Sequence, residues 1–426
     1  MSMNDRNENR PGYKKTKVGW IPEDWHVKIY GEVLKRTKSA VAVEPYQDYQ
    51  EIGIRSHGKG IFYKTPVKGL QLGDKYVFNV HAPALIFNIV FAWEQAVAVT
   101  SERESGMIAS HRFPMYTAKQ GKADLYYLRY FFLTKRGKYL LELASPGGAG
   151  RNKTLGQGEL YRLPLPLPSL TEQRKIAEIL SMWDTAIEQT QRLLEAKKKR
   201  KKGLMQQLLW GKQRLSDFEE SSVLKEHRFF PFPEDWQCPQ IRKIARECSL
   251  RNKGNGDVTV LSCSKHIGFV ESAKYFGKQV CSEDTSNYKV IERGCFGYPS
   301  NHIEEGSIGL LLEREKGLVS PIYIVFKCDD RVIPEYLYAV FKTDTFRHIF
   351  TISTNSSVDR RGSLRWREFS LIHVPLPTKD EQQAIAAVLL AADNEINQLE
   401  KKLRALEKQK RGLMQKLLTG EIRVAT

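Results

Sequence analysis

Two similar stretches of sequence organise this chain: PLPSLTEQRKIAEILSMWD at residues 166–184 and PLPTKDEQQAIAAVLLAAD at residues 375–393. Further along, GLMQQLLWGKQRL at 203–215 matches GLMQKLLTGEIRV at 412–424. Both matches have the same offset of 209 residues, with no gap between them. A repeat of this length is far too long for a solenoid. It indicates a duplicated two-part module and, with it, a molecule of pseudo-twofold symmetry.

Each block predicts one long helix. The prolines that open the first block cannot lie inside a helix, and Ser169 or Thr171 can cap a helix that starts after them. Apolar residues then recur at alternating steps of four and three over 176–208 and, more regularly, over 385–417, with Lys410 as the one break. We expect about 38 helical residues in each block. The two helices should pack as an antiparallel coiled coil, and two separate surface helices are the alternative.

The length of 426 residues suggests two or three domains. Residues 1–165 and 216–373 each mix short strand-like runs with helical runs, such as the aromatic-rich run at 125–133. We predict a globular domain at 1–168, a spacer helix at 169–215, a second globular domain at 216–377 and a second spacer helix at 378–426. The predicted fold class is mixed α/β (α+β), with two globular domains separated by two long antiparallel coiled-coil helices.

The chain is strongly basic, with 67 Lys and Arg against 49 Asp and Glu and a net charge of +18. This excess favours a polyanionic partner, with double-stranded DNA first and a membrane surface second. No apolar run is long enough to span a bilayer and no secretory signal pattern opens the chain, so we expect a cytoplasmic protein without a membrane partner.

The cysteines form no CxxC pair, so we expect reduced, mostly buried thiols and no metal site. They are Cys238, Cys248, Cys263, Cys281, Cys295 and Cys328.

Polar, basic stretches interrupt both globular domains, and they supply the candidate DNA contacts. Arg, Lys and Asn side chains can pair with base edges, and flanking glycines let a backbone approach a phosphate closely. Any one such stretch is more often an ordinary surface loop, but their recurrence in so basic a chain favours DNA binding. The candidates are Arg55, Ser56, His57, Lys59, His111, Arg112, Arg151, Asn152, Lys153, Lys265, His266, Asn301, His302, Arg360, Arg361 and Arg365.

Six consecutive cations at 197–202 lie within the first predicted helix. They form either a solvated helix face or a patch that faces phosphate or a partner.

Sequence motifs for catalysis are missing. GGAGRNKT at 147–154 fails the phosphate-loop pattern, because Asn152 stands where the glycine before the lysine is needed. No methyltransferase, metalloprotease or nuclease motif is present, so the sequence predicts a reader of DNA with no catalytic residues of its own.

The repeated blocks carry a family resemblance. Two copies of PLP-x₃-EQ-x₂-IA, each followed by GLMQ-x-LL-x-G, resemble the conserved regions of type I restriction–modification specificity subunits. IPEDW at 21–25 and FPEDW at 232–236 resemble the starts of that family's target recognition domains. The stretches IGIRSHGKGIF at 52–62 and GMIASHRFP at 106–114 resemble one class of those domains. The resemblance covers nearly the whole chain.

This resemblance implies a function. Each globular domain is a target recognition domain that reads one half of an asymmetric, bipartite DNA target, and the two helices set the distance between the half-sites. Two modification subunits, which bind S-adenosylmethionine and methylate adenine, dock on the chain. Restriction subunits, the motor-nucleases, then join them and need ATP and magnesium. The specificity subunit itself holds no cofactor and catalyses nothing.

Two other functions remain open at this point. One is a stand-alone DNA-binding regulator, or a decoy subunit, that self-associates through its helices. The other is a nuclease or methyltransferase whose motifs are too divergent to see. Co-purification with modification subunits separates the first from the specificity subunit, and an activity assay on the isolated chain tests the second.

Overall fold

The computed structural model describes residues 7–147, 153–218, 223–253, 258–265, 267–277, 284–354 and 362–425. The chain forms two compact units. The first is built from Met1–Gln191 and Lys401–Thr426, and the second from Arg192–Glu400. Each unit therefore combines one globular part with a portion of each of the two long helices.

The first unit centres on a four-stranded antiparallel sheet. The strands described in this unit are β1 Tyr13–Thr16, β2 Gly19–Pro22, β3 His26–Ile29, β4 Leu34–Thr37, β5 Asp48–Tyr49, β6 Ile52–Ile54, β7 Ile61–Tyr63, β8 Val67–Lys68, β9 Val77–Asn79, β10 Leu85–Phe87, β11 Val97–Val99, β12 Ile108–Ser110, β13 Met115–Ala118 and β14 Pro164–Leu167. The central sheet has the order β11-β10-β13-β4. In its register, Leu85 lies opposite Val99 on one side and Tyr116 on the other. Two-stranded pairs surround it.

Short helices complete the first unit: α1 Tyr30–Val33, α2 Gly69–Leu72, α3 Leu125–Phe132, α4 Lys135–Leu143 and α5 Gln157–Tyr161. Helices α3 and α4 begin at side-chain caps, because Asp124 accepts a hydrogen bond from the Tyr127 N–H and Thr134 accepts one from the Gly137 N–H. Helix α3 lies where the aromatic-rich run predicted a helix. Its buried rings form one core with the central sheet.

The second unit repeats this plan. Its described strands are β15 Leu224–Glu226, β16 Pro231–Pro233, β17 Ala245–Cys248, β18 Leu261–Ser264, β19 Gly268–Glu271, β20 Lys289–Glu292, β21 Phe296–Pro299, β22 Gly309–Leu310, β23 Lys316–Val319 and β24 Tyr323–Cys328. Four of them form an antiparallel sheet in the order β17-β24-β21-β22. Its short helices are α7 Ser272–Phe276, α8 Pro334–Phe341, α9 Asp344–Ser353 and α10 Trp366–Phe369. Corresponding contacts recur, since the Tyr127 hydroxyl donates to the Pro166 carbonyl and the Tyr336 hydroxyl to the Pro375 carbonyl.

The two long helices are α6 Leu170–Leu208 and α11 Lys379–Leu418, of 39 and 40 residues. Ser169 begins α6 by accepting a hydrogen bond from the Glu172 N–H, 3.2 Å away. A left-handed glycine follows each helix, Gly211 with φ 59° and Gly420 with φ 72°. At both glycines a Cβ atom would lie 2.3 Å from a proline Cγ. Glycine is therefore required at the end of each helix for two reasons. The backbone there has a left-handed conformation, and the neighbouring proline leaves no space for a Cβ atom.

The helices pack antiparallel within each unit. In the first unit, Ile176 and Leu180 of α6 share a core with Leu417 and Leu418 of α11. In the second unit, the C-terminal part of α6 shares a core with the N-terminal part of α11. The predicted mixed fold with two long, mutually packed helices is confirmed. Two separate surface helices are excluded by these shared cores.

One detail of the sequence interpretation gains a structural account and another needs correction. Lys410, the break in the apolar spacing, pairs through its ammonium with the Asp184 carboxylate within the first unit. The thiols are less buried than expected: of the five described cysteines only Cys295 is buried, and the other four are partly exposed. Burial raises the pKa of the Cys295 thiol to about 11, which makes it a poor nucleophile. Cys281 lies outside the described residues.

Candidate nucleic-acid interface

The first group of candidate DNA-contacting residues lies in the loop of a β-hairpin. The loop at 55–60 joins β6 to β7, and its backbone is fixed to a neighbouring segment at 89–95. The His57 N–H donates to the Glu94 carbonyl at 2.7 Å, and the Gly58 N–H donates to the Gln95 carbonyl at 3.0 Å. The hairpin tip is thereby held in place while its side chains remain accessible.

The segment at 89–95 also gathers the other candidates of the first unit. The Ile89 N–H donates to the Arg112 carbonyl at 3.0 Å, and the Ile89 carbonyl accepts from the Leu155 N–H at 2.9 Å. The Lys153 ammonium lies 5.3 Å from the centre of the Trp93 ring. Three stretches far apart in sequence therefore meet around one segment. We call residues 55–60, 89–95, 111–112 and 153–155 the first loop cluster.

The candidate side chains of the first loop cluster are largely open to solvent. Arg55, His57, Lys59, His111 and Arg112 are exposed, whereas Ser56 and Lys153 are half-buried. The Arg55 guanidinium lies 5.2 Å from the centre of the Phe62 ring, a cation–π contact that limits its freedom without neutralising its charge. Because this contact limits the side-chain conformations of Arg55 in advance, the guanidinium can pair with a guanine edge or a phosphate at a reduced cost in conformational entropy. Arg151 and Asn152 lie outside the described residues.

The second unit builds an equivalent arrangement with different side chains. Lys265 lies in the turn between β18 and β19, and the Lys342 ammonium donates to its carbonyl at 3.0 Å and to the Gly306 carbonyl at 2.9 Å. The Leu364 N–H donates to the Ser300 carbonyl at 2.8 Å. We call residues 264–265, 300–306 and 362–365 the second loop cluster.

The candidates of the second unit follow this grouping. Asn301, His302 and Arg365 belong to the second loop cluster with Lys265, and all except half-buried Asn301 are exposed. The His302 Nδ1 lies 3.4 Å from the Glu305 carboxylate, and with Glu304 these side chains could bring three ligand atoms within 4.8 Å. Such exposed groups are common without a metal. The remaining candidates, His266, Arg360 and Arg361, lie outside the described residues.

Sequence reasoning missed the groups that hold each cluster together. In the first unit the Gln95 amide donates to the Phe132 carbonyl at 2.9 Å and so ties the cluster to α3. In the second unit Lys342 has this role, and burial lowers the pKa of its ammonium. Trp93, whose ring contacts the Lys153 ammonium, is an aromatic residue that could have indicated this grouping from the sequence. Nothing in the pattern pointed to Lys342.

The six cations at 197–202 lie on a largely exposed helix face, and most of them are paired. Within the second unit, ion pairs join Lys197 to Glu395 at 2.6 Å and Lys201 to Asp393 at 2.6 Å. Lys198 pairs with an acid of α11 as well, and Lys202 pairs with one at the start of α9. Four of the six cations are thus engaged with carboxylates of their own unit. Three of these pairs join α6 to α11. The exposure of the run agrees with the predicted solvated helix face, and a role facing phosphate or a partner stays a prediction.

In each unit an arginine forms an ion pair with the aspartate of the duplicated PEDW motif. In the first unit Arg423 pairs with Glu172 and Asp24 and lies 6.0 Å from the Trp25 ring centre. We call this group the first clasp. Its partners Asp24 and Trp25 belong to IPEDW, so the motif holds the end of the chain against the start of α6.

The second clasp is the equivalent group in the second unit. Arg214 pairs with Glu381 at 2.5 Å and with Asp235 at 3.1 Å, and it lies 5.4 Å from the Trp236 ring centre. The Trp236 Nε1–H also donates to Glu381 at 3.1 Å. Burial raises the pKa of the Glu381 carboxyl, against the opposing effect of the Arg214 guanidinium. The duplicated motifs are therefore structural in both units.

Comparison with known proteins bears directly on this architecture. Residues 22–198 match the family model of the type I restriction modification DNA specificity domain. The resemblance predicted from the sequence is confirmed. The matched residues include the whole first loop cluster and most of α6. The first set of candidate residues therefore lies within the region that matches this family model.

Several relatives extend over nearly the whole chain. The type I restriction enzyme MjaVIII specificity subunit of Methanocaldococcus jannaschii is 24% identical over 455 residues, covering 95% of this chain and 94% of its own. The type I restriction–modification system S subunit of M. genitalium has the same fold, with a TM-score of 0.56, 15% identity and coverage of 92% and 96%. A chain from a study of complex assembly and conformational transition of the type I R-M system gives a TM-score of 0.53, 15% identity and coverage of 94% and 99%.

These comparisons confirm the resemblance to type I specificity subunits, and the two solved structures share their fold with this chain. Among the helices formed by the described residues, none combines the length and apolar character needed to cross a bilayer.

Proposed function

We propose that this chain is the non-catalytic DNA-recognition subunit of a type I restriction–modification enzyme and that it reads an asymmetric bipartite target. The observation that carries the proposal is the convergence of basic loops into one cluster in each unit. Because the two clusters have different side chains, they should read different half-sites. The net charge of +18 and the DNA specificity domain at 22–198 support the same reading.

In this mechanism each loop cluster enters the major groove. Lysines and arginines contact phosphates and set the register, while a few side chains choose bases. Arg55, His57 and Lys153 are the proposed base readers of the first cluster, and Arg365 of the second. Arg360, outside the described residues, is a further proposed reader. A substitution at one base reader should cost about 1–3 kcal/mol of binding and relax one position of the target.

Long-read mapping of methylated DNA tests this directly. The chain is co-expressed with modification subunits, and the wild type should give a two-part motif. Arg55→Ala should relax a position in one half-site and Arg365→Ala a position in the other. Arg162→Ala is the matched control, since Arg162 is exposed in the first unit but lies outside its loop cluster. An unchanged motif with intact binding in Arg55→Ala would remove Arg55 from the readers.

We also propose that α6 and α11 act as a ruler between the half-sites. Four residues inserted into both helices, after Gln189 and after Gln398, add about 6 Å to each helix. That length corresponds to about two base pairs of DNA. The non-read gap should lengthen while both half-sites stay the same. Altered half-sites would show that the helices do not set the gap.

The proposed partners are double-stranded DNA, two modification subunits and the restriction subunits of the same enzyme, in the cytoplasm. This chain needs no cofactor of its own, and S-adenosylmethionine, ATP and magnesium belong to the partner subunits. Native mass spectrometry after co-expression should find two modification subunits per chain. A chain that only self-associates would be the regulator or decoy instead. Cleavage or methyl transfer by the isolated chain, given DNA, magnesium and S-adenosylmethionine, would overturn the non-catalytic assignment.

A further inference from the structure

A short 3₁₀ helix, Ala92–Glu94, belongs to the segment around which the first loop cluster gathers. The residue before this helix is Phe91, whose backbone has φ −123° and ψ 16°. Ile89, two residues earlier, contacts the backbone of Arg112, and the helix itself contacts the backbone of His57. The backbone therefore holds Phe91 next to two basic stretches of the cluster.

The second unit has a helix of the same kind, Ile303–Glu305, in its own loop cluster. The residue before this helix is His302, with φ −143° and ψ 15°, so its backbone conformation is close to that of Phe91. A residue in the left-handed conformation follows each helix, Gln95 with φ 62° in the first unit and Gly306 with φ 88° in the second. The two segments therefore have the same local structure.

Backbone hydrogen bonds match in the two segments as well. The Phe91 N–H donates to the Asn88 carbonyl at 3.1 Å, and the His302 N–H donates to the Pro299 carbonyl at 3.1 Å. The carbonyl of each residue accepts from the N–H three residues later, at 3.0 Å in the first unit and 3.3 Å in the second. Two positions earlier, a carbonyl in each unit accepts from a leucine N–H, at 2.9 Å and 2.8 Å respectively. Phe91 and His302 therefore occupy one and the same position of a duplicated loop.

The two residues at this position are both exposed, but their chemistry differs. His302 is one of the candidate DNA contacts, whereas Phe91 is apolar and 39% exposed. Among the residues of the first loop cluster, all of which the structure describes, Phe91 is the one large apolar residue that is exposed. A single exposed apolar residue is ordinary on a protein surface, so exposure alone indicates no function. The position indicates one, because its equivalent carries a candidate contact.

We propose that Phe91 is a specificity-determining residue of the first unit and that it contacts the C5-methyl group of a thymine in the major groove, an inference that rests on the proposed function. This methyl group marks thymine in the major groove, and a protein reads it by apolar contact and not by a hydrogen bond. The neighbouring cations can contact phosphates while the phenyl ring makes that contact. His302 presents ring nitrogens from the same position, so this position contributes to the difference between the half-sites.

A thermodynamic cycle between protein and DNA tests this inference. The complex with co-expressed modification subunits is titrated with labelled duplexes that carry the target mapped for the wild type. Replacing each thymine of the target in turn by deoxyuridine removes only the methyl group. At one thymine this should weaken wild-type binding by about fourfold, the ratio that about 0.8 kcal/mol of lost apolar contact produces. The same replacement should leave the affinity of Phe91→Ala unchanged, because that variant has already lost the contact.

Two further variants complete the design. Phe91→His introduces the residue that the second unit carries at this position, so the backbone conformation accepts it even if Phe91→Ala does not fold. This variant should also lose the response to deoxyuridine. Tyr126→Ala is the matched control, since Tyr126 is 42% exposed in the first unit but lies outside the loop cluster, and it should respond as the wild type does. Circular dichroism verifies that each variant is folded.

Three outcomes would overturn the inference. One is a wild type whose affinity no deoxyuridine replacement changes. Another is a Phe91 variant that keeps the wild-type response, which would show that a different group contacts the methyl. The third is loss of the response in Tyr126→Ala as well, since the effect would then not come from a contact at Phe91. All three leave the proposed function intact, whereas a wild type without a two-part motif would overturn the proposed function and this inference with it.

Discussion

The two clasps give a matched test of how burial sets the strength of an ion pair. We predict that Arg214→Met lowers the free energy of unfolding by about 3–5 kcal/mol, because it leaves a buried carboxylate without its partner. The Glu381 side chain is only 1% exposed and that of Arg214 only 6%. The equivalent change, Arg423→Met, should cost about 1–2 kcal/mol. The Glu172 side chain is itself only 3% exposed, but the Arg423 side chain that covers it is 43% exposed, so removal of Arg423 should admit water to this carboxylate.

The pH dependence of the second clasp has a definite sign. Burial raises the pKa of Glu381 in the folded protein, and loss of Arg214 removes the main effect that opposes this. A raised carboxyl pKa favours folding while the group is protonated, and that contribution is lost as pH rises through the folded value. The destabilisation by Arg214→Met should therefore be smaller near pH 4 than near pH 7. Urea denaturation followed by tryptophan fluorescence measures it, since Trp236 lies in the clasp.

A double variant separates the charge from the contact. Arg214→Met with Glu381→Leu replaces the buried pair by apolar side chains, and it should recover most of the stability lost in the single variant. Equal losses for Arg214→Met and Arg423→Met would refute the argument from burial. A double variant no more stable than Arg214→Met alone would show that the unpaired carboxylate is not the cause.

Two further predictions concern the second unit. Lys201→Glu should lower the free energy of unfolding by about 0.5–1 kcal/mol through repulsion from Asp393, whereas Lys199→Glu should be near neutral. Adding Asp393→Lys should restore the pairing, and thermal melts at low and high salt should show the effect shrinking with salt. Burial lowers the pKa of both His227 and His373 in the folded protein. Their contribution to stability is therefore fully present at a pH above the ordinary histidine pKa, and it is lost as the pH falls through their lowered pKa values. His227→Phe should reduce the drop in melting temperature between pH 7.5 and pH 5.

The long helices were the most predictable part of the fold, because every signal for them is local. The alternating four-and-three spacing depends only on neighbouring turns of one helix. Ser169 caps the first helix as its side-chain chemistry requires, and Gly211 and Gly420 stop the helices because only glycine readily adopts their left-handed conformation. Even the break at Lys410 was visible in the sequence. Its partner Asp184 was not, because the two are far apart along the chain.

The loop clusters lay beyond sequence reasoning for the same reason. Each candidate stretch was recognisable by composition, but their meeting depends on backbone bonds such as that from His57 to Glu94, which no local pattern specifies. The acids that pair with the cation run at 197–202 could not be named from the sequence, because they lie on another helix and at the start of α9. Long-range pairing of strands and charges is set by the whole fold, and local patterns of residue type do not specify it.

The duplicated contacts indicate which parts of the molecule are constrained. Both clasps keep the same arginine, acids and tryptophan, and both long helices keep their caps and stops. The ties of the loop clusters differ, with the Gln95 amide in one unit and the Lys342 ammonium in the other. A duplicated chain that keeps its structural contacts while its exposed loops diverge can change what each unit reads without losing the fold. This difference is what the proposed asymmetric target requires, and exchanging the loops at 55–60 and 264–268 between units should disturb recognition before it disturbs stability.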